Sequence, residues 1–120
     1  MSRPRVLVVE DEALVALLIQ DWIDELGYEV VGPAHTVDRA LALIKQNKPD
    51  AAILDISLGG TDSAPVADDL RMRNVPFAFA SGRDEKAILS RHATAPMLAK
   101  PYDKDSLQSV LKELLPPQRE

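Results

Sequence analysis

A chain of 120 residues, 46% of them hydrophobic and none of them Cys, can bury one core without disulfides or a structural metal and is too apolar to be disordered. Its net charge of −5, with Lys and Arg scattered rather than clustered, argues against direct nucleic-acid binding, and the absence of Cys excludes thiol catalysis and Cys-ligated zinc. The longest apolar run, Ala13 to Ile19, is too short to cross a bilayer and no signal peptide is visible, so the expectation is a cytoplasmic protein with no membrane partner.

In chain order, Arg5–Val9 reads as a β-branched strand, followed by a helix from Glu12 to Leu26 that Gly27 terminates. Val15, Leu18, Ile19, Trp22 and Leu26 recur at helical spacing and are expected to face a sheet. A second strand spans Glu29–Gly32, and Thr36 caps a helix running to about Gln46. Asn47-Lys48-Pro49 breaks that helix before a third strand, Ala51–Leu54. A polar loop holding Gly59-Gly60 leads to a helix from Ser63 to Arg73; Pro76 then opens a fourth strand, and a weak helix is expected over Asp84 to Arg91. Ala95–Ala99 is the fifth strand, and Asp103 or Asp105 caps a last helix that reaches Leu115 before Pro116-Pro117 stops it. Strands alternating with helices imply right-handed βαβ units, hence a parallel sheet covered on both faces, and residues 1–120 read as a single domain. The near-continuous apolar runs Val6–Val9 and Ala51–Leu54 fit strands buried on both sides.

In such sheets the ligand crevice lies beyond the carboxyl ends of the strands. The polar residues of interest fall there: Glu10-Asp11 after the first strand, Asp55 after the third, Ser81-Gly82 after the fourth and Lys100-Pro101 after the fifth. Singly, each reads as a turn or helix-cap residue. Together they carry complementary charge at one edge. Carboxylates at about 4 Å repel by roughly 4 kcal/mol at an effective dielectric near 20, so three of them call for a divalent cation and a lysine. Hard oxygen donors without nearby His or Cys favour Mg²⁺. Asp11 and Asp55 are the expected direct ligands, with Glu10 acting through water and the Ser57 carbonyl adding an oxygen. A phosphoryl group received there would meet Mg²⁺, Lys100, the Ser81 hydroxyl and the Gly82 N–H.

Val-Val-Glu-Asp-Glu (Val8–Glu12), Leu-Asp-Ile-Ser-Leu (Leu54–Leu58), Ala-Ser-Gly (Ala80–Gly82) and Lys-Pro-Tyr (Lys100–Tyr102) together resemble a response-regulator receiver domain over essentially the whole chain. The resemblance implies a flavodoxin-like five-stranded parallel sheet of order 2-1-3-4-5. It implies Asp55 as phosphoacceptor for a sensor histidine kinase or histidine phosphotransferase, and Glu10 and Asp11 as the metal-binding acidic pair. Ser81 stands at the family's switch Thr/Ser position, and Lys100 at its lysine, with a cis link to Pro101. By the same token the chain is not an enzyme acting on external substrates, but a switch that catalyses only its own phosphoryl transfer and changes protein–protein contacts, among them a possible downstream target. The run Pro76-Phe77-Ala78-Phe79-Ala80-Ser81-Gly82 is similar to the Pro-Phe-x-Phe-Ala-Thr-Gly run of an atypical receiver subgroup that often lacks the usual aromatic switch.

Two positions depart from the common pattern. Gly59-Gly60 stands where Pro is usual, implying a more flexible loop, and Met97 stands where an aromatic usually sits three residues before the lysine. His35, His92, Trp22 and Arg83 are expected to be surface or packing residues. Ala13–Ile19 is apolar nearly all round, so Leu14 and Leu17 are expected to be exposed as a partner face. A haloacid-dehalogenase-like phosphatase would need a second Asp two residues after the nucleophile, where Ser57 stands. A nucleotide-binding domain would need a Gly-rich phosphate loop where Glu10-Asp11-Glu12 stands. A never-phosphorylated scaffold fits the complete acidic set poorly. The expected form is a stand-alone receiver, the alternative being the receiver part of a longer regulator with an effector domain.

Overall fold

The computed structural model describes residues 3–58, 61–81, 96–99 and 102–115. The chain runs β1 (Arg5–Val9), α1 (Ala13–Glu25), β2 (Glu29–Ala34), α2 (Val37–Asn47) and β3 (Ala51–Asp55). It continues through a short pair, β4 (Ser57–Leu58) and β5 (Thr61–Asp62), then α3 (Ala64–Met72), β6 (Phe77–Ser81), β7 (Met97–Ala99) and α4 (Lys104–Leu114). Five strands form one parallel sheet in the order β2-β1-β3-β6-β7, which is 2-1-3-4-5 when the short pair is left aside.

Strand alternation sorts the core into two layers. Leu7 and Val9 of β1, Ala52 and Leu54 of β3 and Phe77 and Phe79 of β6 pack with Leu43 and Ile44 of α2 and Val66, Ala67 and Leu70 of α3. Val6 and Val8, Ala51 and Ile53, and Ala78 and Ala80 point the other way, against Ile19 and Ile23 of α1 and Leu107, Val110 and Leu111 of α4. Both Phe rings lie on the first face, edge to face at 5.4 Å, while Ala78 and Ala80 leave the second face room for its helices to sit close.

Helix ends follow local chemistry. The Thr36 hydroxyl accepts the Arg39 N–H at 3.2 Å, and Gly27, just past α1, has φ +96°, a conformation that costs glycine little. At α4 the cap is Asp103, whose carboxylate accepts the Ser106 N–H at 2.8 Å, while Asp105 lies within the first turn.

Several expectations are corrected. Leu18 is 48% exposed, because it lies roughly 100° around the helix from Ile19 and falls outside the buried stripe. The stripe is instead Val15, Ala16, Ile19, Trp22, Ile23 and Leu26. Strand β2 does not stop at Gly32 but continues to Ala34, with an irregularity opposite Leu7 and Val9. A Cβ on Gly32, at φ +100°, would meet the Ala34 nitrogen at 2.8 Å and the Val8 carbonyl at 3.1 Å, so this crowded turn of the strand requires glycine. Strand β7 begins at Met97 rather than Ala95. After Asp55 an antiparallel ribbon appears that the sequence reading did not anticipate: Ser57 pairs with Asp62 and Leu58 with Thr61. Gly59-Gly60, and with them the expected flexible loop, lie outside the described residues. The expected helix over Asp84–Arg91 and the Pro116-Pro117 stop also lie outside the described residues.

Candidate metal and phosphoacceptor site

Strands β1 and β3 are neighbours in register, with Val9 opposite Leu54, so Glu10 and Asp55 leave the same edge of the sheet side by side. Continuing the alternation of Val6 and Val8, and of Ala51 and Ile53, both fall on the face covered by α1 and α4. Glu10 is 1% exposed and Asp55 7%, whereas Asp11 is open to solvent. One carboxylate oxygen from each of Glu10, Asp11 and Asp55 lies within 4.8 Å of the other two.

The backbone fixes this placement. The Glu10 N–H donates to the Ala34 carbonyl at 2.9 Å, so the irregular end of β2 pins the point at which β1 turns into α1. The Glu10 carboxylate accepts the Glu12 N–H at 3.1 Å, and the Glu10 carbonyl accepts a hydrogen bond from His35 Nδ1 at 2.8 Å. His35 is exposed, as expected of a surface residue, but the reading that placed it away from the acidic cluster is corrected: it braces the main chain of Glu10. On the other side Asp55 pairs in register with Ala80, and the Ile56 N–H donates to the Ala80 carbonyl at 3.1 Å.

The remaining expected site residues are placed in part. Ser57 lies in β4, with its main chain in register with Asp62. The main chain of Ser81 ends β6, one residue beyond the partner of Asp55 and opposite Ala99, the last residue of β7. Gly82, Lys100 and the expected cis link from Lys100 to Pro101 lie outside the described residues, as do Arg83 and His92. Met97 opens β7 beside Phe79 and is 38% exposed.

Tyr102 was missed as a site residue. It follows the Lys-Pro pair, its ring packs into the core layer beneath α1 and α4, and it lies 6.4 Å from the Trp22 ring, centroid to centroid. Burial first, then the charges of Glu10 and Asp55, push its phenol far above the ordinary tyrosine value, so it stays protonated. The sequence signals were its place in the Lys-Pro-Tyr run and the hydroxyl itself, on an aromatic that packing alone would let be Phe.

The donor set suits a hard divalent cation: three carboxylates, two of them buried, and a histidine that touches only main chain. Three acidic groups at this spacing repel strongly in a partly buried site, and a bound cation relieves that repulsion. A five-stranded parallel α/β sheet whose carboxyl edge brings together three carboxylates that could hold a cation is the arrangement of flavodoxin-like receiver domains.

The chain belongs to the response regulator receiver domain family, whose profile matches residues 6–112. It is 36% identical to the positive alginate biosynthesis regulatory protein of Pseudomonas aeruginosa, covering 95% of this chain and 48% of that protein. It is 33% identical to the sensory transduction protein LytT of Bacillus anthracis, covering 91% of this chain and 46% of that one. The chain therefore spans about half the length of the curated relatives it matches. Among solved structures, SdrG from Sphingomonas melonis Fr1 is 41% identical with a TM-score of 0.83, covering 96% of this chain and 99% of that one. The response regulator PhyR from Brucella abortus is 29% identical with a TM-score of 0.81, over 96% of this chain and 48% of PhyR. The protein is thus a receiver domain of two-component signalling, a family of signalling modules whose relatives carry the names of regulators. Its family implies a kinase or phosphotransfer partner. No helix among the described residues is long and apolar enough to cross a membrane.

Proposed function

We propose that Asp55 accepts a phosphoryl group from a phosphohistidine donor, on a histidine kinase or histidine phosphotransferase, and that residues 1–120 act as one receiver unit. The observation that carries this reading is the convergence of Glu10, Asp11 and Asp55 oxygens within 4.8 Å at the carboxyl edge of the sheet. In the transfer, an Asp55 carboxylate oxygen forms the new P–O bond while the P–N bond to the donor imidazole breaks and its electron pair stays on that nitrogen. Hydrolysis later returns the Asp55 carboxylate and releases inorganic phosphate. Mg²⁺, when bound, supplies positive charge to the phosphoryl oxygens and to the acidic cluster.

The chain's own residues do the rest. Asp11 and Asp55 would hold the cation directly, Glu10 would act through water, and the Ser57 carbonyl would supply a further oxygen. Lys100 pairs with one phosphoryl oxygen, and the Ser81 hydroxyl and Gly82 N–H take another. These assignments are supported by position at corresponding strand ends and by family membership. The buried flank of Asp55 limits water access and strengthens charge interactions there. The output is a change in protein–protein contacts, with the exposed Leu14 and Leu17 beside the site as a docking face for the donor.

Incubation with acetyl phosphate and Mg²⁺ should add one phosphoryl group per chain by intact mass, and a chelator should slow that labelling at least tenfold. Labelling that is indifferent to the chelator would remove the cation from the mechanism.

A further inference from the structure

Tyr102 carries a polar atom that the site has not used. Its hydroxyl oxygen is cut off from solvent and has no hydrogen-bond partner among the described residues, although the ring is well packed. A buried hydroxyl without a partner costs on the order of 1–3 kcal/mol, so a phenylalanine would serve packing better. Tyr102 packs in the layer of Val8, Ile53 and Ala80, the sheet face from whose edge Glu10 and Asp55 project, and burial, then the charges of those two groups, keeps the phenol protonated and so a donor. The ring's other neighbour is Trp22 on α1, at 6.4 Å and an interplanar angle of 56°.

We propose that Tyr102 is the aromatic sensor of this receiver: its O–H donates to the anionic oxygen that arrives when Asp55 is phosphorylated, and the ring carries that change to Trp22 and α1. The inference rests on Asp55 being the phosphoacceptor. It deepens that reading by giving the readout to a residue on the segment entering α4, where Met97 cannot act as an aromatic switch. A donor buried without a partner in the resting state is held ready, since forming its bond satisfies an existing deficit and adds a charge-assisted contact. Movement of the ring must be felt by Trp22, because both pack into the same core layer. Tyr102 acts on α1 through Trp22 and is a positioning residue, with no part in bond making.

Trp22 is the single tryptophan of the chain, so its emission reports on the surroundings of this one ring, Tyr102 among them. The test uses beryllium fluoride with Mg²⁺ as a phosphoryl analogue on three proteins: wild type, Asp55→Asn and Tyr102→Phe. Wild type should show a saturable change in Trp22 emission and a rise in melting temperature, and Asp55→Asn should show neither. Tyr102→Phe keeps the ring and loses the donor. Without the analogue it should melt at or above the wild-type temperature, which a residue with a merely structural hydroxyl bond would not do. With the analogue it should bind about three- to tenfold more weakly, the loss of one hydrogen bond, and keep less than a third of the emission change at saturation. A Tyr102→Phe variant with wild-type affinity and a full emission change would overturn the inference while leaving Asp55 as phosphoacceptor. A wild type that neither binds the analogue nor gains mass from acetyl phosphate would overturn both.

Discussion

At the scale of single residues, the acidic cluster and Tyr102 decide how the domain responds to cations and to pH. Mg²⁺ held by Glu10, Asp11 and Asp55 would stabilise only the folded chain, because the unfolded chain does not bring these three groups together. At about a hundred times its dissociation constant the cation should add about 2.7 kcal/mol, a shift of several degrees in melting temperature by calorimetry or fluorescence. Asp11→Asn should lose most of that shift, and an unchanged Mg²⁺ response in this variant would take Asp11 out of the ligand set. Tyr102 predicts the alkaline limb. Its phenol is held well above the ordinary value of 10.0, so its contribution to stability is complete below pH 10 and is lost as pH rises and the unfolded chain ionises. Denaturant unfolding between about pH 9 and pH 12 should therefore fall less steeply in Tyr102→Phe than in wild type. Equal slopes would mean that the phenol is not held neutral by the fold.

At the scale of elements, α1 separates core from surface with unusual clarity. Ile23 is fully buried and Leu14 is 84% exposed, though both are large aliphatic residues on the same helix. Ile23→Ala should cost about 2–4 kcal/mol in chemical denaturation through lost burial and the cavity left behind. Leu14→Ala should stay within about 0.5 kcal/mol of wild type; a comparable loss in both would mean that the outward face is packed. Periodicity made most of this helix legible but not its exact azimuth, since Leu18 and Ile19 are adjacent and equally apolar and only the helix's seating on β1 and β2 exposes one of them. The ribbon after Asp55 was illegible for a related reason. Two-residue strands carry no period, and Gly59-Gly60 reads equally as a flexible loop or as a hairpin connection. The extension of β2 to Ala34 was hidden by Gly32-Pro33, residues that normally end a strand and here sit in a crowded irregularity that pins Glu10.

At the scale of the whole molecule, alternation of apolar runs and helices sufficed for the parallel sheet, its two covered faces and the edge on which Glu10, Asp11 and Asp55 converge. Strand order needed family resemblance, because periodicity does not say which strands are neighbours. Tyr102 needed coordinates, since only the packing of α4 and α1 on one sheet face puts it in the layer on the same side as Glu10 and Asp55. The sheet carries three clustered carboxylates at one edge and the Trp22–Tyr102 pair in the layer beneath that face, the arrangement through which the proposed chemistry at Asp55 would reach α1. That picture stands on Asp55 itself. The direct measurement is intact-mass analysis after incubation with acetyl phosphate and Mg²⁺, run side by side on wild type and Asp55→Asn, with the modified residue located by fragmentation. One added phosphoryl group located at Asp55, and none in the variant, is the predicted result; equal labelling of the two proteins would contradict it.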